Sequence, residues 1–281
     1  MMSNGMRLAM ALVGFALLST AAQAAGYERV RVPSYDGELD AVLYLPQGPG
    51  PFPAVVAMHG CGGLWRDNGQ LSTRHSDWGE RLSMSGIAVL MPDSYGSRKL
   101  GSQCGVKELT VRASRERVAD AAAARQWLQS RTDIRADAIA LLGWSGGGST
   151  VLAAIRRDRR PADERADFAR AVAFYPGCRV QSESASFSAR LPLMILMGDA
   201  DDWTPAAPCD YLAKAARARG EKVELVVYPG ALHDFDHPRL EVRERSDIAN
   251  SATGTGKATV GTNPAARDDA IKRVKAFLKG L

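Results

Sequence analysis

The chain has 281 residues, of which 46% are hydrophobic and 24% are charged, and its formal net charge is +5. This composition fits one globular domain with a sizeable core. Lysines and arginines are interspersed with acidic residues, and even the densest basic run, at residues 156–160, contains an aspartate. No basic stripe or recognition motif indicates a nucleic-acid partner.

Residues 1–24 have the pattern of a secretory signal peptide. Arg7 precedes an apolar run at residues 8–18, and Ala22 and Ala24 occupy the two positions that a signal peptidase reads. The run is too short to span a membrane comfortably, and no later run is long enough. We expect cleavage after Ala24, which leaves one periplasmic or secreted domain at residues 25–281 that does not bind a membrane. An uncleaved anchor is the alternative.

The first elements after this segment form a predicted hairpin, because "YERVRV" and "ELDAVLYL" flank the turn signal Asp36-Gly37. Apolar strands then alternate with helices. The predicted strands are "AVVAM", "GIAVLMPDSYG", "AIALLG", "ARAVAFYPGC", "LPLMILMGDADD" and "KVELVVYPGALHDFD". The predicted helices are residues 110–131, "GGSTVLAAIRRD", "AAPCDYLAKAARARG" and "NPAARDDAIKRVKAFLKGL", the last with Asn263 as N-cap and Pro264 in its first position.

This alternation predicts an α/β fold with a mostly parallel central sheet of about eight strands, covered by helices on both faces. In such sheets the site forms at the carboxyl ends of the strands. Residues 236–262 interrupt the pattern, because they are polar and include a run rich in Gly, Thr and Ser. They are predicted as a long loop, which is either a disordered linker or a flap over the site.

The stretch "LLGWSGGGST" places Ser145 in a G-x-S-x-G pattern between a predicted strand and a predicted helix. That setting is typical of a nucleophile elbow, in which Gly143 and Gly147 lack side chains that would collide where strand and helix close up. A serine hydroxyl needs a base that takes its proton, and the base is expected to be a histidine held by a carboxylate.

The candidate base is His233, because it follows the last predicted strand of the sheet. His237, four residues later, is the rival. His59 ends an earlier strand and is expected to shape a loop, whereas His75 is expected at the surface. The acid is expected between the serine and the histidine along the chain, within "MGDADDWTP". Spacing alone does not choose among the three acids of that segment, Asp199, Asp201 and Asp202.

Two backbone N–H groups are needed to stabilise the oxyanion that forms on the attacked carbonyl. The first is expected from Gly146, the residue after the nucleophile. The second is expected from the loop after an earlier strand, which here is "HGCGG", at Cys61 or Gly62. These glycines follow a predicted strand, so an oxyanion loop is favoured over a plain turn.

The motifs "HGCGG", "MPDSYGSR", "GWSGGG", "GDADDWTP" and "YPGALHDFD" resemble the dienelactone hydrolase family of alpha/beta-hydrolases over nearly all of residues 25–281. The resemblance implies that the acid precedes a Thr-Pro segment, which selects Asp201, and that the base is His233. The best-known members use a cysteine nucleophile, where this chain has Ser145. They also bind the substrate carboxylate with arginines, for which Arg98 is a candidate here.

Export into an oxidising compartment predicts disulfides among the four cysteines. Cys61 and Cys104 lie in loops after neighbouring strands at the site face, as do Cys178 and Cys209, so we predict the pairs Cys61–Cys104 and Cys178–Cys209. A reactive thiol at Cys61 is the alternative. No pair has zinc-site spacing, and neither a metal nor a cofactor is expected.

The sequence therefore predicts an exported serine hydrolase that cleaves small-molecule esters or lactones through Ser145, His233 and Asp201. Three tryptophans flank the motifs and belong either to an acyl pocket or to the core: Trp65, Trp144 and Trp203. A peptidase of the same fold shares the predicted triad, and a hydrolase-like binding protein without catalysis is the alternative from another class.

Overall fold

The computed structural model describes residues 26–161, 163–184, 187–246 and 248–281. The predicted signal segment at residues 1–24 lies outside the described residues. The main sheet has eight strands in the order β1-β2-β4-β3-β5-β6-β7-β8. The strands are β1 Glu28–Ser34, β2 Gly37–Tyr44, β3 Phe52–Met58, β4 Ala88–Pro92, β5 Ile134–Trp144, β6 Arg170–Phe174, β7 Leu193–Gly198 and β8 Val223–Tyr228.

The sheet is parallel from β4 to β8, and the two antiparallel strands lie at one edge. β1 and β2 form the predicted hairpin, closed at the pair Ser34 and Gly37, and β2 continues antiparallel to β4. β4 and β7 are buried at every position, because helices cover both faces of a parallel sheet. The predicted alpha/beta-hydrolase architecture is confirmed in these strands.

Six α-helices are described: α1 Thr73–Ser83, α2 Glu116–Gln129, α3 Gly146–Ala154, α4 Arg179–Ser182, α5 Ala206–Ala218 and α6 Pro264–Leu278. The sequence did not predict α1 or the single turn α4. Helix α2 begins at Glu116 rather than at residue 110, because the Glu116 carboxylate accepts hydrogen bonds from the amide and guanidinium of Arg112 and stabilises a turn there. Helix α6 begins as predicted, with the Asn263 side chain accepting from the Ala266 amide.

Residues 236–246 and 248–262, hereafter the strap, fold against the end of the sheet. They contain a short antiparallel pair, β9 Arg243–Arg245 and β10 Ala258–Val260. A second small core anchors the strap, formed by Cys104, Trp203, Ile248, Ala258 and Val260. Most of the described strap is irregular, as the prediction of a long loop has it, but it also forms this strand pair, and apolar side chains within the polar segment pack onto the domain.

Two disulfide bonds are present, and they join Cys61 to Cys104 and Cys178 to Cys209. The first links the loop after β3 to the loop after β4. The second links the loop after β6 to helix α5. Among the described residues no helix is long and apolar enough to cross a membrane.

Candidate active site

Ser145 lies in a tight turn between β5 and α3. Its φ is 52°, and its amide donates to the Phe174 carbonyl at 2.9 Å. A Cβ on Gly143 would lie 2.3 Å from the carbonyl oxygen of Gly147, and a Cβ on Gly147 would lie 2.0 Å from that of Met58. Glycine is therefore required at both positions for the turn to close, and the serine hydroxyl is held at the carboxyl end of the sheet.

Ser145, His233 and Asp201 form one hydrogen-bonded chain. His233 Nε2 lies 3.0 Å from Ser145 Oγ, and His233 Nδ1 lies 2.8 Å from Asp201 Oδ2. All three side chains are buried, although they come from three different strand ends. The distances are those that proton transfer from the hydroxyl to the imidazole requires.

Asp201 is held by the backbone of its own loop. Its Oδ1 accepts from the amides of Trp203 at 2.9 Å and Thr204 at 2.8 Å, which leaves Oδ2 directed at the imidazole. The other two acids of the segment have separate partners. Asp199 accepts from the Gly230 amide at 2.6 Å, and Asp202 accepts from the Thr259 amide at 2.8 Å and so ties down the strap.

The pKa of His233 is raised above its ordinary value of 6.5. Burial of the ring lowers the pKa, but the charge of Asp201 and its hydrogen bond outweigh burial. The ring also packs between Tyr175 and Trp203, with ring centroids 4.5 and 4.6 Å away. The imidazole is thus fixed in position and supported in its charged form.

Asp236 stabilises the loop that carries His233, and it was not identified from the sequence. Its buried carboxylate accepts from the indoles of Trp78 at 2.7 Å and Trp144 at 2.8 Å, and from the Tyr175 hydroxyl. The sequence offers one local clue to Asp236, which is that it stands three residues after His233. Its three aromatic donors are distant in sequence.

The expected oxyanion donors lie side by side. A Cβ on Gly146 would lie 3.6 Å from the amide nitrogen of Cys61, so the two amides border the same space next to Ser145. Neither amide donates to an acceptor within the described residues. The Cys61–Cys104 disulfide braces the loop that carries the second amide.

Ser145 and His233 open into a cavity of about 550 Å³. Trp65 and Trp203 line the cavity, together with residues of the loop after β3, helix α1 and the strap. Four arginines contribute to its wall: Arg66, Arg74, Arg243 and Arg245. Arg74 is paired with Asp234 at 2.6 Å, and Arg245 lies over the ring of Trp203 at 5.5 Å.

Comparison with known proteins agrees with this fold. The family model described as the dienelactone hydrolase family matches residues 39–281. This chain belongs to the dienelactone hydrolase family. As a member of that family it is a hydrolase that acts on ester bonds. A similar relative is a Bradyrhizobium protein named a probable 2-oxo-3-(5-oxofuran-2-ylidene)propanoate lactonase, which is 26% identical over 75% of this chain and 84% of the relative.

Solved structures of similar fold include esterases and a Porphyromonas gingivalis dipeptidyl peptidase 4. A dienelactone hydrolase-like promiscuous phosphotriesterase from metagenomic libraries is 18% identical with a TM-score of 0.65, covering 92% of this chain and 99% of the other. Thermogutta terrifontis esterase 2, phosphoramylated by tabun, is 20% identical with a TM-score of 0.63, covering 94% and 97%. At these identities the likeness establishes the fold of this dienelactone hydrolase family member.

Two predicted substrate-binding residues lie outside the cavity. Trp144 is fully buried beneath the site, where its indole donates to Asp236. Arg98 donates to Asp36 at 2.8 Å and to Asp120 at 2.7 Å, so its guanidinium is already bound by two carboxylates. Both predictions are corrected, because a position next to a motif does not determine where the side chain points.

Of the remaining histidines, His75 differs from expectation. His75 is buried at the cavity wall rather than at the surface, and burial together with the charge of Arg74 lowers its pKa to about 3. His59 shapes the loop after β3, since its Nδ1 donates to the Gly60 carbonyl and its Nε2 accepts from the Ser94 amide. His237 lines the cavity, but His233 is the histidine that meets Ser145.

Proposed function

We propose that this chain is an exported serine hydrolase that cleaves carboxylic esters or lactones through an acyl-enzyme on Ser145. The observation that carries the proposal is the hydrogen-bonded chain from Ser145 Oγ through His233 to Asp201 Oδ2, at 3.0 and 2.8 Å. This constellation, in the order serine, acid, histidine along the chain, is the arrangement that activates a serine in alpha/beta-hydrolases.

In the first half of the reaction Ser145 Oγ attacks the substrate carbonyl and His233 Nε2 takes the hydroxyl proton. The tetrahedral intermediate places its negative oxygen at the amides of Gly146 and Cys61. When the intermediate collapses, the bond to the alcohol oxygen breaks and His233 returns the proton to that oxygen. Asp201 holds the imidazole in the required tautomer and stabilises its charge.

In the second half a water molecule attacks the acyl-enzyme carbonyl and gives a proton to His233. The ester bond to Ser145 breaks, the serine oxygen recovers the proton, and the carboxylic acid leaves. The raised pKa of His233 suits both roles, because the ring must accept and release a proton within one cycle.

The cavity supports a small-molecule substrate. A volume of about 550 Å³ fits a small ester or lactone, with Trp65 and Trp203 as apolar wall. A lactone substrate agrees with the name of the Bradyrhizobium relative. Because Arg243 and Arg245 also line the cavity, we expect substrates that carry a carboxylate to be cleaved best.

Replacing Ser145 with Ala tests the assignment. The variant should lose p-nitrophenyl acetate turnover and fluorophosphonate labelling, because within the described residues Ser145 Oγ is the hydroxyl that meets His233 Nε2. The backbone strain at φ 52° is the same for both residues, so the fold should be retained and circular dichroism should be unchanged. Turnover at the wild-type rate in this variant would refute the serine mechanism.

Export is proposed from the pattern of residues 1–24 and agrees with the two disulfides. Expression of the full chain in a bacterial host should yield a mature protein that begins at Ala25 in the periplasmic or extracellular fraction. N-terminal sequencing of the purified protein measures this. A mature protein that retains Met1 in the cell membrane fraction would instead indicate the uncleaved anchor.

A further inference from the structure

Arg117 of helix α2 lies directly behind the expected oxyanion site. Its side chain is fully buried, and its Nη2 donates to the carbonyl oxygen of His59. Its Nη1 is 3.5 Å from the position that a Cβ on Gly146 would take, and the Cys61 amide nitrogen is 3.6 Å from the same position. The guanidinium and the Cys61 amide therefore approach Gly146 at the same place.

The charge of Arg117 has no counter-charge at contact distance. Among the described residues, no carboxylate oxygen forms an ion pair with its guanidinium, and its Nε has no hydrogen-bond partner. Burying an unpaired cation is costly, so a role in packing alone does not account for an arginine here. By contrast Arg125, equally buried two turns later on α2, pairs with Asp163 at 3.0 Å.

The polar groups around the Arg117 guanidinium are neutral. The Tyr95 hydroxyl lies 3.5 Å from Nη1, and the Tyr95 ring centroid lies 5.1 Å from the guanidinium carbon. The pKa of His59 is held well below 6.5, by burial and by the charge of Arg117 itself. Asp93 lies on the Nε2 side of the His59 ring, at 3.7 Å, whereas Arg117 contacts the His59 carbonyl and the Nδ1 side.

We propose that Arg117 is a positioning residue of the oxyanion site, whose buried and unpaired charge stabilises the negative oxygen of the tetrahedral intermediate. Its hydrogen bond to His59 also holds the start of the loop that carries the Cys61 amide. The attraction acts through a medium of low dielectric constant and needs no reorganisation during the reaction. The inference rests on the proposed serine mechanism and adds a charge that the triad and the two amides do not supply.

The variants Arg117→Gln and Arg117→Lys separate charge from hydrogen bonding. Both keep an N–H donor for the His59 carbonyl, but only lysine keeps the charge. We expect Arg117→Gln to lower kcat for p-nitrophenyl acetate by about 10- to 100-fold with KM little changed, which is less than the loss on removing a direct oxyanion donor. Arg117→Lys should recover most of this loss.

The inhibition constant of a trifluoromethyl ketone is a second measurement, which a purely structural role of Arg117 would not change in parallel with kcat/KM. Ser145 adds to its carbonyl, so the bound inhibitor carries a negative oxygen in the oxyanion site. In Arg117→Gln the inhibition constant should rise by about the same factor by which kcat/KM falls, because both report stabilisation of the same charge.

Arg125→Gln is the matched control, because it removes another fully buried arginine from the same helix. It should lower the free energy of unfolding by breaking the pair with Asp163, while kcat and the inhibition constant stay near the wild-type values. The inference is overturned if Arg117→Gln and Arg117→Lys lose kcat equally, or if inhibitor affinity in Arg117→Gln is unchanged.

The Ser145→Ala variant shows whether the proposed function or only the proposed role of Arg117 has failed. Wild-type turnover in Ser145→Ala means that the proposed function itself is wrong. If Ser145→Ala is inactive and Arg117→Gln turns over and binds the inhibitor like the wild type, the serine mechanism stands and only the role of Arg117 is wrong.

Discussion

At the scale of single residues, His233 is subject to two opposing effects. Its burial disfavours the charged ring, whereas the carboxylate of Asp201 favours it, and the pKa ends above 6.5. In the proposed mechanism the free enzyme needs a neutral ring that can accept the Ser145 proton. The activity should therefore depend on the protonation state of His233.

We expect kcat/KM to fall as the pH drops through the raised pKa of His233, because protonation removes the base. Asp201→Asn removes the charge that raises this pKa and disturbs the tautomer of the ring. It should lower kcat by about 10³- to 10⁴-fold and move the acid limb of the residual activity to lower pH. A pH–rate profile for ester hydrolysis measures both effects.

Asp199→Asn is the control for that experiment. Asp199 belongs to the same loop but accepts from the Gly230 amide, and asparagine retains an oxygen that can do so. Its activity and pH profile should stay close to those of the wild type. Equal losses in the two variants would contradict the assignment of Asp201.

At the scale of elements, the elbow depends on close contact between β5, α3 and β3. The three meet where a side chain at Gly143 or Gly147 would collide with backbone carbonyls rather than with movable side chains. The strap depends on its own small core and on two polar contacts, because Val260 pairs with His233 and Asp202 binds Thr259. Backbone packing thus positions the nucleophile, and the small core together with these polar contacts positions the cavity wall.

Gly147→Ala should lower the free energy of unfolding by about 3 kcal/mol or more, because its Cβ would lie 2.0 Å from the Met58 carbonyl oxygen. Gly101→Ala is the control, since a Cβ on that exposed glycine meets nothing within 4 Å. Its effect should stay within about 0.5 kcal/mol. Urea denaturation measures both, and similar stabilities for the two variants would contradict the packing argument.

At the scale of the whole molecule, the disulfides connect parts that the sheet alone does not join. Cys61–Cys104 ties the oxyanion loop to the second core beneath the strap. Cys178–Cys209 ties the loop after β6 to helix α5, next to the loop of Asp201. Both lie at the carboxyl end of the sheet, so they stabilise the face that carries the site.

The double variant Cys178→Ser with Cys209→Ser should lose about 3 to 4 kcal/mol of stability, because the bond closes a segment with a sequence separation of 31. Urea denaturation at matched protein concentration measures the change. Unreduced, denatured wild-type protein should show no free thiol by titration. Free thiols in that sample, or an unchanged midpoint in the double variant, would contradict the pairing.

The sequence by itself determined the alternation of strands and helices, the family, and the elbow around Ser145. These features depend on local periodicity and on glycine chemistry within a few residues, which a single chain displays directly. The strand pattern also placed His233 and the candidate acids at strand ends, and the family resemblance selected Asp201. In the structure His233 lies within hydrogen-bond distance of both Asp201 and Ser145.

Only the tertiary structure decided which side chains share the cavity. Trp144 and Arg98 flank motifs but point to Asp236 and to a pair of carboxylates. Arg117, by contrast, lies 28 residues before Ser145 and is still next to Gly146, an expected oxyanion donor. The strap likewise packs through a few apolar residues scattered in a polar segment. Such contacts depend on how distant elements pack against one another, and short-range sequence patterns carry no information about that.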